Sequence, residues 1–206
     1  MIRTIIFDLG GVVVNIDNDE PKRRFFELGV KDIDQQLDPY RQSGVFGDLE
    51  EGKITEEEYR SHLSAICGRP VSFEEAQYCW LGYMKEVPLY KLQALLKLKS
   101  EGYRVVLLSN TNPYIFAWAM SDKFPGGHPL SYYFDALYAS FEMKIMKPDS
   151  QFFRTVLARE EVLPQEALFI DDSPQNVASA SQLGIRTYCP ENGFDWTTEI
   201  YKYLDK

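Results

Sequence analysis

Four short segments of this chain carry side chains that can act together on a phosphoryl group: Asp8-Leu9-Gly10-Gly11-Val12, Ser109-Asn110-Thr111-Asn112, Lys147-Pro148 and Asp171-Asp172-Ser173. Asp8 closes the apolar run Thr4-Ile5-Ile6-Phe7. A carboxylate in that position can attack phosphorus, dividing a difficult hydrolysis into two displacements through an aspartyl-phosphate. Taken alone, Asp8 reads equally as a turn or helix-capping residue. Ser109 can donate to a phosphoryl oxygen, and N–H groups at the start of a helix opening at Pro113 can reinforce it. Ser, Thr and Asn are also favoured there as simple caps. Lys147 would neutralise charge on the transferring group, with Lys144 as a nearby competitor. Asp171 and Asp172 follow Phe169-Ile170, and at most one of the pair is expected to coordinate a metal directly. Mg²⁺ commonly takes one or two carboxylates, keeps waters and contacts substrate phosphate.

Apolar runs able to position these groups recur at residues 3–8, 104–108, 136–139, 167–170 and 185–188. Helical patterns separate most of them, at 89–101, 113–120, 150–159 and 175–182. Such alternation predicts a Rossmann-like three-layer α/β core, a parallel sheet with helices on both faces. In such sheets ligands bind beyond the carboxyl ends of the strands, where Asp8, Ser109 and Asp171 fall. Gly102 and Gly184 read as helix C-cap residues, and Ser173-Pro174 as an N-cap and first helical position. Residues 17–86 break the alternation. They contain no convincing strand, but Thr55-x-x-Glu58 and Ser72-x-x-Glu75 read as capping boxes followed by apolar residues at helical spacing. The expected organisation is a discontinuous core of residues 1–16 and 87–206 with a helical cap, residues 17–86, inserted after the first strand.

Composition narrows the partners. With 22 Lys plus Arg against 31 Asp plus Glu, the 206-residue chain carries a net charge of −9. A nucleic-acid partner needs a concentrated basic surface and is not expected, whereas a small anion can still bind where a metal, a lysine and backbone N–H groups converge. The three cysteines, Cys67, Cys79 and Cys189, lack metal-ligand spacing and are expected to be reduced thiols. No apolar stretch approaches a membrane span and no signal-peptide pattern opens the chain, so a soluble cytoplasmic protein, monomeric by default, is expected.

The four segments, in this order, resemble the motifs of the haloacid dehalogenase-like (HAD) hydrolase superfamily, and the resemblance covers nearly the whole chain. The Asp8-Leu9-Gly10-Gly11 and Leu108-Ser109-Asn110-Thr111-Asn112 versions, with a small helical cap, are most similar to the branch of glucose-1-phosphate phosphatase-like enzymes and the epoxide-hydrolase phosphatase domain. The resemblance implies Asp8 as nucleophile and Mg²⁺ ligand, the Gly10 carbonyl as a second ligand and Asp172 as the preferred distal ligand, with Asp171 orienting a metal-bound water or binding directly. It implies that Ser109, Asn110 and Lys147 hold phosphoryl oxygens, Lys147 also serving catalysis, and that the cap closes over substrate. The expected reaction is Mg²⁺-dependent hydrolysis of a small phosphorylated metabolite such as a sugar phosphate.

One departure stands out. Many family phosphatases carry an Asp at the position of Gly10, which protonates the leaving oxygen and later activates water, a role that needs a titratable group. A low-demand leaving group, a substitute acid such as Asp17 or Asp19, or reduced activity would each account for its loss. The alternatives are a 2-haloacid dehalogenase, in which Asp8 attacks carbon, and a slow ligand-binding or regulatory homologue. Nothing ties His62 or His128 to catalysis; Phe46, Glu51, Trp80 and Tyr83 are candidates for the cap face over the site.

Overall fold

A computed structural model describes residues 1–38 and 42–204. Five strands form one parallel sheet in the order β5-β4-β1-β6-β7: β1 Thr4–Phe7, β4 Arg104–Ser109, β5 Ala136–Ala139, β6 Ala167–Ile170 and β7 Arg186–Tyr188. The chain starts at the centre, winds outward through β4 and β5, then crosses to β6 and β7 on the other side. At that reversal the carboxyl ends of β1, β4 and β6 lie side by side and leave a crevice.

Register makes the convergence specific. Phe7 pairs with both Leu107 and Ile170, so the next residues along the three strands, Asp8, Leu108 and Asp171, stand at one level. The Asp8 N–H donates to the Ile170 carbonyl at 2.9 Å. β1 and β6 are buried on both faces, as a central parallel strand must be. Alternate residues feed two cores. Ile5, Phe7, Leu107 and Ile170 pack with Leu92, Leu95 and Leu98, while Ile6, Val106, Leu108 and Phe169 pack with Phe152, Phe153 and Val156.

Two short strands precede and follow the helical stretch: β2 Asn15–Ile16 and β3 Met84–Glu86 pair antiparallel. β3 lies inside the stretch read from sequence as strandless, because three residues, none of them buried, give no alternation to detect. Between the pair run α1 Glu20–Leu28, α2 Ile33–Gln36, α3 Gly44–Glu50, α4 Glu56–Cys67 and α5 Phe73–Trp80. Both capping boxes are present, closing the starts of α4 and α5. The remaining helices are α6 Leu89–Ser100, α7 Pro113–Ala119, α8 Ser140–Met143, α9 Ser150–Arg159 and α10 Pro174–Gln182. Among the described residues no helix is long and apolar enough to cross a membrane.

The inserted helices bury their own aromatic cluster, with Phe25 against Phe46 at 5.0 Å between ring centroids and Phe46 against Tyr59 at 5.5 Å. Tyr114 of α7 completes it, 5.7 Å from Tyr59, so the cap's apolar interior continues into the core. Polar contacts fix the seam: the Ser140 hydroxyl donates to the Glu50 carbonyl at 2.6 Å. Two residues on, Gly52 has φ +68°, and a Cβ there would lie 2.1 Å from the Phe141 carbonyl oxygen. The cap therefore sits on core backbone at a place where only glycine fits.

Gly52→Ala is expected to destabilise the protein by more than the ~1–2 kcal/mol of left-handed backbone strain alone, because the methyl also has to displace Phe141. Denaturant unfolding checks this; a midpoint equal to wild type contradicts the close approach.

Candidate active site

After β1 the chain makes a tight loop in which the N–H groups of Val13 and Val14 donate to the Leu9 carbonyl and that of Gly11 to the Val14 carbonyl. Val12, Val13 and Val14 are fully buried. The Val12 carbonyl accepts from the Lys91 ammonium at 2.8 Å and from the Trp196 indole at 2.9 Å. Lys91 is itself buried, and burial pushes its ammonium down to about 8. This anchoring, invisible in the sequence, holds Asp8, Gly10 and Gly11 against the sheet edge. Gly11 must be glycine: its φ is +77°, and a Cβ would lie 2.2 Å from Asp172 Oδ2.

Lys147 is the hub. Its Nζ lies 2.8 Å from Asp8 Oδ1, 2.6 Å from Asp171 Oδ2 and 2.8 Å from the Leu108 carbonyl. Those partners use all three ammonium donors, and the residue is only 2 % exposed. The backbone of Lys147 is fixed as well. Asn110 donates its amide to the Lys147 carbonyl and accepts the Lys147 N–H, both at 2.9 Å. The Asn110 side chain clamps the lysine, and what the residue can offer an anion is its main-chain N–H. The amides opening α7 are likewise engaged, since Asn112 Oδ1 accepts from Tyr114 and Ile115.

The two adjacent aspartates separate cleanly. Asp171 is fully buried and accepts from Lys147, from the Ser173 N–H and, on both oxygens, from the Asn176 amide. Asp172 lines the pocket with Asp8, Gly10, Ser109, Asn110, Thr111 and Lys147. Carboxylate oxygens of Asp8, Asp171 and Asp172 lie within 4.8 Å of one another. Burial, then the charges of Asp8 and Asp171, push Asp172 up to about 7, with Lys147 opposing. Burial likewise raises Asp8 to about 6 against the pull of Lys147. Crowded carboxylates that resist ionisation form a donor set that suits a hard divalent cation.

Ser109 faces the pocket, 2 % exposed, and its hydroxyl makes a 3.3 Å contact with the Asn110 carbonyl. Lys144 is exposed in a left-handed turn and lies off the pocket lining. So do His62 and His128, both exposed, the latter stacked on Tyr132. The proposed substitute acids are elsewhere too. Asp17 accepts the Asp19 and Glu20 N–H groups, which lower its carboxyl below the ordinary value, and Asp19 is exposed. Of the expected cap-face residues, Tyr83 lines the pocket, while Phe46 and Trp80 are buried inside the cap and Glu51 pairs with Lys53 at 2.9 Å. The pocket's cap side also presents Gln42 and Glu50, which sequence reading does not single out.

The chain is similar to known proteins over its whole length. The model of the haloacid dehalogenase-like hydrolase family matches residues 2–184. The chain is 44% identical over 206 residues to D-ribitol-5-phosphate phosphatase of Bacteroides thetaiotaomicron, covering 100% of both proteins. Among solved structures, a predicted HAD-like family hydrolase from Porphyromonas gingivalis superimposes with a TM-score of 0.94 at 43% identity, covering 100% of this chain and 99% of the other. A HAD family enzyme from Bacteroides thetaiotaomicron, in complex with magnesium and inorganic phosphate, gives 0.88 at 36% identity, covering 97% and 99%.

Because Asp8 and Asp172 titrate above their ordinary 3.8, the fold takes up protons that the unfolded chain does not bind between about pH 4 and 7, and metal-free stability falls as pH rises through that window. Mg²⁺ competes for the ionised forms, so its thermal stabilisation should be larger at about pH 8 than at about pH 5; an equal shift at both contradicts this. Gly11→Ala, which displaces Asp172, should weaken Mg²⁺ binding by roughly tenfold or more in calorimetry, and unchanged affinity would contradict the contact.

Proposed function

This chain belongs to the haloacid dehalogenase-like hydrolases, and from that premise we propose that it is a Mg²⁺-dependent phosphatase of small sugar or polyol phosphates. The observation that carries the reading is the buried Lys147 ammonium shared between Asp8 and Asp171 beside the pocket-facing Asp172. The similarity to D-ribitol-5-phosphate phosphatase supports a phosphorylated pentitol or a close relative as substrate, and the magnesium and phosphate held by the similar HAD family enzyme support the metal.

In this reading Asp8, the Gly10 carbonyl and Asp172 would hold Mg²⁺, which, when bound, neutralises charge on the phosphoryl oxygens. Asp8 attacks phosphorus from the sheet edge. Lys147 keeps Asp8 ionised and oriented and faces the charge that builds on the phosphoryl group. Ser109 donates its hydroxyl, and Asn110 its main-chain N–H, to non-bridging oxygens. Asp171, with Asn176 and the Ser173 N–H on its oxygens, holds Lys147 in place. The ester oxygen leaves on the side opposite Asp8, under the cap, and water cleaves the aspartyl-phosphate from that same side.

A panel of phosphorylated metabolites that includes D-ribitol 5-phosphate, assayed with Mg²⁺, should reveal turnover. Asp8→Asn should reduce it by at least about 10³-fold with the fold intact by circular dichroism. No hydrolysis of any panel member by the wild type would overturn the reading.

A further inference from the structure

An aspartyl-phosphate mechanism needs a proton for the departing alkoxide and a base for the incoming water, and Gly10 can supply neither. Both transfers take place on the face of phosphorus opposite Asp8, toward the cap. Among the described residues, five that line the pocket carry a titratable side chain: Asp8, Glu50, Tyr83, Lys147 and Asp172. Asp8, Asp172 and Lys147 belong to the core-side cluster, leaving Glu50 and Tyr83 on the cap side.

Glu50 ends α3, and its position is set from the core. Its carbonyl accepts from Ser140, its Oε1 is 3.5 Å from the Asn112 amide, and Gly52 beyond it is seated on Phe141. The residue is 6 % exposed, and that 3.5 Å contact is too long to engage the carboxyl strongly. Resting on the phosphatase reading above, we propose that Glu50 is the general acid and base of this enzyme, delivered from the cap in place of the acid missing at Gly10.

As Asp8 forms its bond to phosphorus, the bond from phosphorus to the ester oxygen breaks and that oxygen takes the Glu50 proton, leaving as a neutral alcohol. Glu50, now a carboxylate, accepts a proton from water as the water oxygen bonds to phosphorus and the bond to Asp8 breaks. Phosphate departs, Asp8 is again a free carboxylate, and Glu50 is protonated for the next cycle. Burial, followed by the neighbouring Asp8 charge, raises the Glu50 carboxyl to about 7 despite the Asn112 contact, which suits a group that must give up a proton and take one back near neutral pH. Among the described residues, the titratable groups in electrostatic reach of it are Asp8 from the core, Tyr59 of α4 and Tyr83 after α5. Tyr83 is the weaker acid, since burial pushes its phenol well above its ordinary value.

Transient kinetics with two substrates test the assignment. Glu50→Gln should cut steady-state turnover of the wild type's alkyl phosphate substrate by about 10²–10⁴-fold. With p-nitrophenyl phosphate, whose leaving group needs no acid, the same variant should release a burst approaching one p-nitrophenolate per active site and then slow, because the base for the second step is gone. Glu50→Asp, which keeps a carboxyl, should retain more activity than Glu50→Gln. Equal losses in the two variants, alkyl-phosphate turnover by Glu50→Gln within a few-fold of wild type, or a uniform loss on both substrates without a burst would each overturn the proposal. A wild type inactive on both substrates would instead remove the phosphatase reading beneath it.

Discussion

A single buried ammonium holds this site together. Lys147 faces two carboxylates, Asp8 and Asp171, with a third, Asp172, in the same cluster. Three carboxylates against one ammonium leave two negative charges, the charge that one divalent cation supplies. Burying so much like charge is costly unless it is paired or protonated, so the geometry that needs the lysine also favours a cation once Asp8 and Asp172 ionise. The parallel register brings the cluster together by ending β1, β4 and β6 at one level. Asn110 and Asn176 then pin the lysine and its buried partner from either side.

The division of labour between Asp171 and Asp172 follows from burial. Asp171 spends its oxygens on Lys147, Asn176 and the Ser173 N–H, which fixes the lysine but leaves little for a metal. Asp172 faces the pocket and sits close enough to Gly11 that no side chain fits between them. The glycine at position 11 is therefore a packing requirement of the carboxylate cluster. Gly10 is different. Its φ lies outside the left-handed region, and a Cβ there would meet only Ile16 Cγ2, at 3.4 Å. Backbone geometry does not demand glycine at that position, and the acid–base role proposed for Glu50 needs no side chain there.

Much of this is legible in the chain. The apolar runs mark the five core strands: β1, β4 and β6 are central, buried on both faces, and read as continuous hydrophobic segments, while the edge strands β5 and β7 are only partly buried. Asp8, Ser109 and Asp172 can be placed because each lies at the end of such a run, and Lys147 because it precedes the helix that starts at Ser150. The Asn110 clamp is not legible in the sequence, because a side chain that reaches the backbone 37 residues away leaves no local pattern. Lys91, a buried lysine on an otherwise ordinary helix, gives no signal for the same reason. Glu50 sits in Leu49-Glu50-Glu51-Gly52, a run that looks like an exposed helix end; only the docking of that turn on Ser140 and Phe141 turns Glu50 inward, while Glu51 remains paired with Lys53.

The proposed chemistry turns on Lys147 presenting Asp8, rather than water alone, to phosphorus. Rapid acid quench of the Mg²⁺-loaded enzyme during turnover of a ³²P-labelled sugar or polyol phosphate, followed by peptide mapping, decides the point. An acid-stable, hydroxylamine-labile label is expected on the peptide that carries Asp8, absent from Asp8→Asn and lost from Lys147→Met. Steady turnover with no covalent label, or a label on any other residue, would refute the role given to Asp8.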